Sequence, residues 1–239
     1  MNEGNIVLTR MKVLLQTWES TNDRRLIFLS CYEMMTQNIQ DAIDANDFED
    51  AMWVAALMEN FANYYFTALE AYDSEPTIQS DPWRIAFNAA NDPHIHVLQN
   101  LVLGVNAHIN YDLVFALTDI LAPEWQQLTE EQRKMRYRDH NHVNDIIYHT
   151  INAVQDKVID RFDRRFAMVD TLLGPIDEWM TKWLISEWRE EVWEHATLLI
   201  ETAHETDRQE ITQHIEKESI KRARDILGEG GLSALVDFI

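Results

Sequence analysis

The sequence predicts an all-α protein, a single domain of about eight helices packed around one buried central helix. Glycine occurs 6 times and proline 5 times in 239 residues, too rarely for a β-rich or linker-rich chain. Apolar residues recur at helical spacing along most of the chain. The stretch 94–121 is apolar on nearly every side, which is typical of a helix buried all round.

The predicted domain spans residues 1–239, with a core over about 24–206 and a peripheral helix and tail over 207–239. Boundary residues support the helix starts, for example Asp81-Pro82 and the capping box Thr129-Glu-Glu-Gln132. Asp139 could likewise cap the sixth helix. The expected helices span residues 5–19, 22–45, 47–72, 82–90, 94–121, 139–163, 176–206 and 207–226.

Composition restricts the partners and the compartment. A formal net charge of -21 disfavours binding to nucleic-acid phosphates and to anionic membrane surfaces. The single cysteine, Cys31, is expected to be a small core residue, and the absence of a cysteine framework fits a reducing cytoplasm. We therefore expect a cytoplasmic protein without a signal peptide or an inserted membrane helix, since Asn106 and His108 interrupt the longest apolar run. A homodimer is compatible with the sequence.

The central helix carries polar residues on two opposite faces. At about 100° per residue, His108 and Asp112 share one face, with Gly104 one turn before them. Asn106 and Asn110 share the opposite face. Buried polar groups cost free energy unless they are paired or used, so this helix holds more polar groups than a stable bundle needs.

The run from Gly104 to Leu113, Gly-Val-Asn-Ala-His-Ile-Asn-Tyr-Asp-Leu, resembles the signature of a widespread, mostly bacterial family of uncharacterised helical proteins. The similarity covers roughly residues 24–200. It implies a helical fold and a set of candidate residues, but no reaction. Its flanking matches are Phe48-Glu-Asp50, Phe61-Ala-Asn-Tyr-Tyr-Phe66, Ala68-Leu69, Trp83-Arg84, Ala86-Phe87, Asp139, Asn144, Arg189, Trp193 and Ala196.

His108 and Asp112 are the first candidates for chemistry. One helical turn apart, an imidazole and a carboxylate can bind a metal with ligands from other helices. They can also act without metal, because the carboxylate orients the ring and raises its basicity. A structural hydrogen-bonded pair is the alternative. Glu59 and His140, which are predicted to face inward on neighbouring helices, are candidate further ligands or proton-transfer groups.

Other polar residues could surround this pair. Asn106, Asn110 and Asn144 would orient a substrate, while Arg189 would meet an anionic group and stack on Trp193. For Glu59 the alternative is a salt bridge to Arg84 or Arg189. The cluster of His142, Asp145 and His149 is predicted to face water.

These observations predict a soluble enzyme that acts on a small, partly apolar molecule in a tryptophan-rich interhelical cavity. The His108–Asp112 pair would serve as metal ligands or as a general acid and base, in a metal-dependent hydrolase or a lyase or cyclase. Any cofactor would be a divalent metal such as Zn or Fe. The alternatives are a non-catalytic protein that binds a hydrophobic small molecule, a metal-free cyclase or isomerase, and a scaffold that uses the acidic surface.

Overall fold

The computed structural model describes residues 3–75, 81–154 and 178–228, which are helical and contain no β-strand. Because α5, the π-helical turn and α6 are continuous, these ranges hold eight helices, which confirms the predicted all-α class. Residues 155–163 of the predicted sixth helix and the tail after residue 228 lie outside the described residues. The elements are α1 Glu3–Thr21, α2 Leu26–Asp44, α3 Ala51–Ser74, α4 Pro82–Asn91, α5 Val97–Ala107, the π turn His108–Asp112, α6 Leu113–Leu121, α7 Glu130–Val154, α8 Glu178–Glu201 and α9 Glu205–Ile226.

Side-chain caps explain where the helices begin. The start predicted at Asp81 and the capping box predicted at Thr129 are confirmed, since Asp81 accepts the backbone N–H of Arg84 at 2.7 Å and Thr129 forms its capping box with Gln132. Each cap satisfies an amide that the first helical turn leaves without a partner.

Several helices do not begin where they were predicted to. The helix predicted over 139–163 begins at Glu130, and caps explain two further displacements. The third helix begins at Ala51 rather than residue 47, because Asp50 is the residue whose carboxylate accepts the N–H of Trp53, at 3.0 Å. The central helix begins at Val97 rather than residue 94. Its cap is His96, whose ring nitrogen accepts the N–H of Leu98 at 3.2 Å.

Asp139 does not cap its own helix, because α7 already begins at Glu130. Its buried carboxylate instead accepts the backbone N–H groups of Glu49 and Asp50, both at 2.8 Å. These amides directly precede α3, where the helix dipole is positive. Asp139 therefore ties α7 to the start of α3.

The central helix connects two apolar clusters. Leu103 and Ala107, in its first half, pack with α1, α2 and α4, whereas Leu113 and Leu117, in its second half, pack with α7 and α8. The π turn His108–Asp112 lies where the two clusters meet. The polar residues of the helix are thus concentrated at the junction of the two halves of the core.

By length and composition alone, the helix Val97–Leu121 could cross a membrane. However, 72% of the qualifying window is buried inside the fold. Such burial is typical of a core helix.

The charged helix α9, which was predicted to be peripheral, packs one face against the central helix. Ile215, Ser219 and Ala223 are buried on one face of α9. Asn106 of α5 donates from its amide to the Ser219 carbonyl oxygen at 2.9 Å. Small residues on this face allow α9 to approach the central helix closely, and its many charged residues cover the outside.

Candidate functional site

The His108–Asp112 pair lies in a wide turn of the central helix. The backbone N–H of Leu113 donates to the carbonyl oxygen of His108, five residues earlier, which is the hydrogen-bond spacing of a π-helix. Such single turns occur frequently at functional sites. Both side chains are buried, and His108 Nδ1 lies 3.2 Å from Asp112 Oδ2. The predicted juxtaposition of the two groups is therefore present.

Trp83 of α4 holds the carboxyl group of Asp112 from the other side. Its indole N–H donates to Asp112 Oδ2 at 2.7 Å. The same oxygen therefore faces both Trp83 and His108. An Oδ2 that accepts from both places the ring proton on Nδ1 and leaves the lone pair of the imidazole on Nε2.

Aromatic rings from α2, α3 and α4 enclose the imidazole of His108. Phe61 stacks on it with centroids 3.6 Å apart and planes 6° apart, and Tyr32 meets it edge-on at 4.2 Å. Three further rings lie at 5.7 to 6.2 Å, those of Phe28, Trp83 and Tyr65. We call these five side chains the aromatic shell. They surround the ring with apolar surface.

Burial shifts both members of the pair towards their uncharged forms. It raises the pKa of the Asp112 carboxyl group well above its ordinary value, an effect that the Trp83 hydrogen bond opposes and the charge of Asp81 reinforces. Burial also lowers the pKa of the His108 imidazole well below its ordinary value. In this shell the pair is most stable with no net charge.

His108 Nε2 is buried and has no hydrogen-bond partner among the described residues. Because Nδ1 faces Asp112, Nε2 is the nitrogen available for a ligand. A buried polar atom without a partner costs roughly 1–3 kcal/mol. The sequence correctly predicted that His108 and Asp112 lie side by side. The structure adds that Nε2, one reactive atom of the pair, has no hydrogen-bond partner among the described residues.

Gly104 makes room for a wall of the aromatic shell. A Cβ at this position would come within 2.8 Å of the Phe28 Cβ and closer still to its ring. The glycine therefore allows α2 to pack against the central helix. Phe28 in turn contacts His108, so the space that Gly104 provides is one step removed from the imidazole.

We expect Gly104→Ala to lower the free energy of unfolding by roughly 1–3 kcal/mol, because the added methyl group overpacks the contact with Phe28. This loss should exceed the gain of up to about 1 kcal/mol from the higher helix propensity of alanine. Urea unfolding measures the difference. Adding Phe28→Leu should recover part of the loss. A Gly104→Ala variant as stable as the wild type would contradict the packing role.

A small pocket lies on the outer side of the shell. Phe28 and Trp83 line it together with Arg24, Asn100 and Gly104. It has room for about one water molecule, too little for a small-molecule substrate. Phe28 and Trp83 thus separate this pocket from His108.

His140, Asn144, Arg189 and Trp193 form a separate cluster where α7 meets α8. The buried Arg189 guanidinium donates to Asn144 Oδ1 and to the His140 carbonyl oxygen, both at 2.6 Å. The His140 ring lies 3.1 Å from the Arg189 carbonyl oxygen and 5.3 Å from the Trp193 ring. Burial lowers the pKa of Arg189 to about 9, and burial and the Arg189 charge lower the pKa of His140. These contacts connect two helices and do not involve His108.

Asn106 and Asn110 lie on the opposite face of the central helix, as predicted. The Asn110 amide donates to Asn106 Oδ1 at 3.0 Å, and Asn106 contacts Ser219. The predicted substrate-orienting amides therefore face α9, away from the imidazole of His108.

Glu59 is half-buried on α3, two residues before Phe61, and interacts with a neighbouring group. His142 lies towards the surface and contacts Asp47 at 3.0 Å, while Asp145 and His149 are exposed. Within residues 3–75, 81–154 and 178–228 there is no group of three or more His, Cys, Asp or Glu side chains that could hold a metal ion.

Cys31 is buried, as predicted, and burial raises the pKa of its thiol to about 12. At neutral pH it is therefore protonated and a poor nucleophile.

Five residues of the site were not predicted as site residues, namely the members of the aromatic shell: Phe28, Tyr32, Phe61, Tyr65 and Trp83. Tyr32 looked like one more apolar position in the stripe of α2. A tyrosine or tryptophan in a buried stripe is nevertheless a signal in itself, because its O–H or N–H needs a partner. The indole N–H of Trp83 donates to Asp112.

Comparison with known proteins gives a family but no activity. No curated protein and no solved structure matches the chain. The model of a family of unknown function, DUF5995, matches residues 5–229, a longer stretch than the similarity seen in the sequence. The chain belongs to the DUF5995 family.

Proposed function

We propose that the protein is an enzyme that acts on a small, uncharged and partly apolar molecule, with His108 and Asp112 as its acid–base pair. The observation that carries the proposal is the unpartnered Nε2 of His108, buried within the aromatic shell while Nδ1 faces Asp112. An imidazole oriented by a carboxyl group is a common device for proton transfer. The location in a π turn supports the same assignment.

The pair changes its charge by one when it works. At rest it holds two protons and carries no net charge. After it releases one proton, Nδ1–H faces an ionised Asp112 and Nε2 can accept a proton from a substrate. The product of that transfer is again a pair without net charge, which the apolar shell favours. Base activity should therefore rise as the pH increases through the pKa that the pair shares.

Proton transfer fits the residues better than metal binding. Two protein ligands are fewer than the three that catalytic zinc sites usually have, and the described residues provide no cluster of three. The predicted further groups Glu59 and His140 have other surroundings, half-buried on α3 and in the contact between α7 and α8. No step of the proposal depends on a metal.

The test is turnover of a panel of small uncharged esters, lactones, epoxides and ketones by the purified protein. His108→Gln should lower the rate at least roughly 100-fold, the usual contribution of a general acid or base. Its helix content by circular dichroism should be unchanged. The matched control is His142→Gln on the outside of α7, which should keep the wild-type rate. Wild-type turnover by the His108→Gln variant would overturn the proposal.

The alternative is a non-catalytic binding protein for a hydrophobic small molecule. The observation in its favour is the aromatic shell, which offers apolar surface to a ligand whether or not a reaction follows. A molecule that copurifies with the wild type in native mass spectrometry, without turnover of the panel, would favour this alternative.

A further inference from the structure

A second polar atom without a partner lies in the same shell. The hydroxyl of Tyr32 is buried and makes no hydrogen bond among the described residues. The Thr36 side chain is close enough to lower the pKa of the phenol, but it does not meet the geometry of a hydrogen bond to the Tyr32 hydroxyl, and it donates its own proton to the Tyr32 carbonyl oxygen at 2.8 Å. Native proteins leave few buried hydroxyl groups without a partner, so the Tyr32 hydroxyl, like His108 Nε2, is a candidate contact for a ligand.

The two unpartnered atoms belong to rings in direct contact. The centroids of Tyr32 and His108 are 4.2 Å apart, the closest distance to His108 in the shell after that of Phe61. Burial, with a contribution from the charge of Asp112, raises the pKa of the Tyr32 phenol. The phenol therefore stays protonated and acts as a hydrogen-bond donor near the imidazole.

Tyr65 has an unpartnered hydroxyl as well, but its charged surroundings differ. After burial, the charges that act on it are those of Arg25, Asp23 and Asp73, which belong to the chain around the start of α2 and the end of α3. Asp112 acts on the hydroxyl of Tyr32. The tyrosine hydroxyl that accompanies the His108–Asp112 pair is thus that of Tyr32.

A donor and a proton acceptor side by side define a ligand chemistry. The Tyr32 O–H can hold an oxygen that gains negative charge, and the lone pair of Nε2 can take a proton from the neighbouring atom. The surrounding rings of Phe28, Phe61 and Trp83 are apolar, so a charged ligand would lose its hydration without gaining a counter-ion.

We propose that Tyr32 binds the carbonyl oxygen of a small uncharged substrate from whose adjacent carbon His108 removes a proton. This inference rests on the proposed function and names its substrate class. Nε2 takes the proton, the electrons of the C–H bond form a carbon–carbon double bond, and the electrons of the carbonyl double bond move to the oxygen that Tyr32 holds. Return of the proton to carbon reverses the step, so no oxidant or other reactant is needed.

The pocket beside Phe28 shares two walls with this site. Phe28 and Trp83 face both the pocket and the ring of His108. A ligand approaching from this side would have to displace the Phe28 side chain, which packs against Gly104.

The experiment is exchange of the α-protons of cyclohexanone for deuterium in D₂O, followed by proton NMR. The wild type should accelerate the exchange above the buffer rate. Tyr32→Phe should lower the protein-dependent rate roughly 100-fold, as expected for loss of a donor to a developing oxyanion. Tyr72→Phe, which removes a hydroxyl at the exposed end of α3 outside the shell, should keep the wild-type rate. Equal rates in the wild type and Tyr32→Phe would overturn the inference.

Stability provides a readout that needs no ligand. Since the hydroxyls of Tyr32 and Tyr65 have no partner among the described residues, both phenylalanine variants should unfold at the wild-type urea concentration or above it. A clear decrease for Tyr32→Phe alone would show that its hydroxyl has a structural partner, and would overturn the inference.

The His108→Gln variant separates the failure of this inference from failure of the proposed function. If another compound of the panel is turned over in a His108-dependent way but cyclohexanone does not exchange, the carbonyl assignment is overturned. The proposed acid–base role of His108 and Asp112 then still stands. Exchange that depends on Tyr32 but persists in His108→Gln supports the carbonyl contact and overturns the role of His108. A competition experiment tests whether the site selects an uncharged ligand. A roughly 10-fold excess of cyclohexanecarboxylate over cyclohexanone should leave the exchange rate of the wild type unchanged. Strong inhibition by the carboxylate would contradict this selection.

Discussion

Asp139→Ala is expected to lower the free energy of unfolding by roughly 3–5 kcal/mol. The carboxylate is buried and accepts two backbone N–H groups, those of Glu49 and Asp50, at 2.8 Å each. Its removal leaves two amides without an acceptor, at roughly 1–3 kcal/mol each. It also removes a negative charge from the positive end of α3. Urea unfolding followed by circular dichroism measures the loss.

Two further variants test the origin of this effect. Asp139→Asn keeps one acceptor oxygen and should lose about half as much stability as Asp139→Ala. Asp145→Ala, on the exposed side of the same helix, should change stability by no more than about 0.5 kcal/mol. If Asp139→Ala and Asp145→Ala were equally stable, the carboxylate would not hold α7 to the start of α3.

Stability should be highest near pH 6.5 and should decrease on both sides. Asp112 has a pKa raised above 3.8, so above that pH the folded protein holds a proton that the unfolded chain has lost. The contribution of Asp112 to the free energy of unfolding therefore falls as the pH rises, until the pH passes the pKa of Asp112 in the folded protein. His108 and His140 have pKa values lowered below 6.5. Below pH 6.5 the unfolded chain binds protons that these two imidazoles do not, and stability falls as the pH decreases.

The contributions cancel in part on the acid side. Between pH 3.8 and 6.5, the extra proton on folded Asp112 offsets the one missing from folded His108, so His140 gives the remaining slope, about 1.4 kcal/mol per pH unit at most. The half-buried His195, whose pKa burial also lowers, adds in the same direction. Above pH 6.5 the histidine contributions are constant, and the Asp112 slope, again at most about 1.4 kcal/mol per pH unit, continues up to the folded pKa of its carboxyl group.

Asp112→Asn provides the decisive comparison, because asparagine has the shape of a carboxyl group that cannot ionise. As the pH rises from about 6.5 to about 8.5, the free energy of unfolding of the wild type should fall relative to that of Asp112→Asn. Urea unfolding at several pH values measures this difference. The uncharged pair and an imidazolium–carboxylate pair hold the same number of protons, so either gives this result. Parallel curves for the two proteins would show instead that Asp112 is ionised beside a neutral His108.

The all-α fold and the pair at the centre of the site could be predicted from the sequence, but the residues that surround the pair could not. Helical spacing predicted the shared face of His108 and Asp112, and the opposite face of Asn106 and Asn110, since local geometry determines both. Which helices cover those faces depends on long-range packing. Glu59, His140, Asn144 and Arg189 are inward-facing or half-buried on their own helices, yet the latter three meet each other between α7 and α8. A helical wheel gives the direction of a side chain and not the neighbour that it reaches.

Helix boundaries show the same division. Asp81 and Thr129 cap their own helices, and the sequence predicted both caps. Asp139 has the chemistry of a cap as well, but it caps the start of α3 from the middle of α7. A capping residue supplied by another helix leaves no local pattern, so its role could be found only in the structure.

The π turn at His108–Asp112 makes the site separable from the fold. A π turn holds about one residue more than an α-helical turn, and it absorbs that residue without turning α6 away from its partners. Removal of one residue from 109–111 should thus let α5 and α6 join as a regular helix, with Leu103 and Leu117 still in their own clusters. In evolutionary terms, a single inserted codon is enough to form such a turn in an existing bundle, while the helices on either side keep their packing partners.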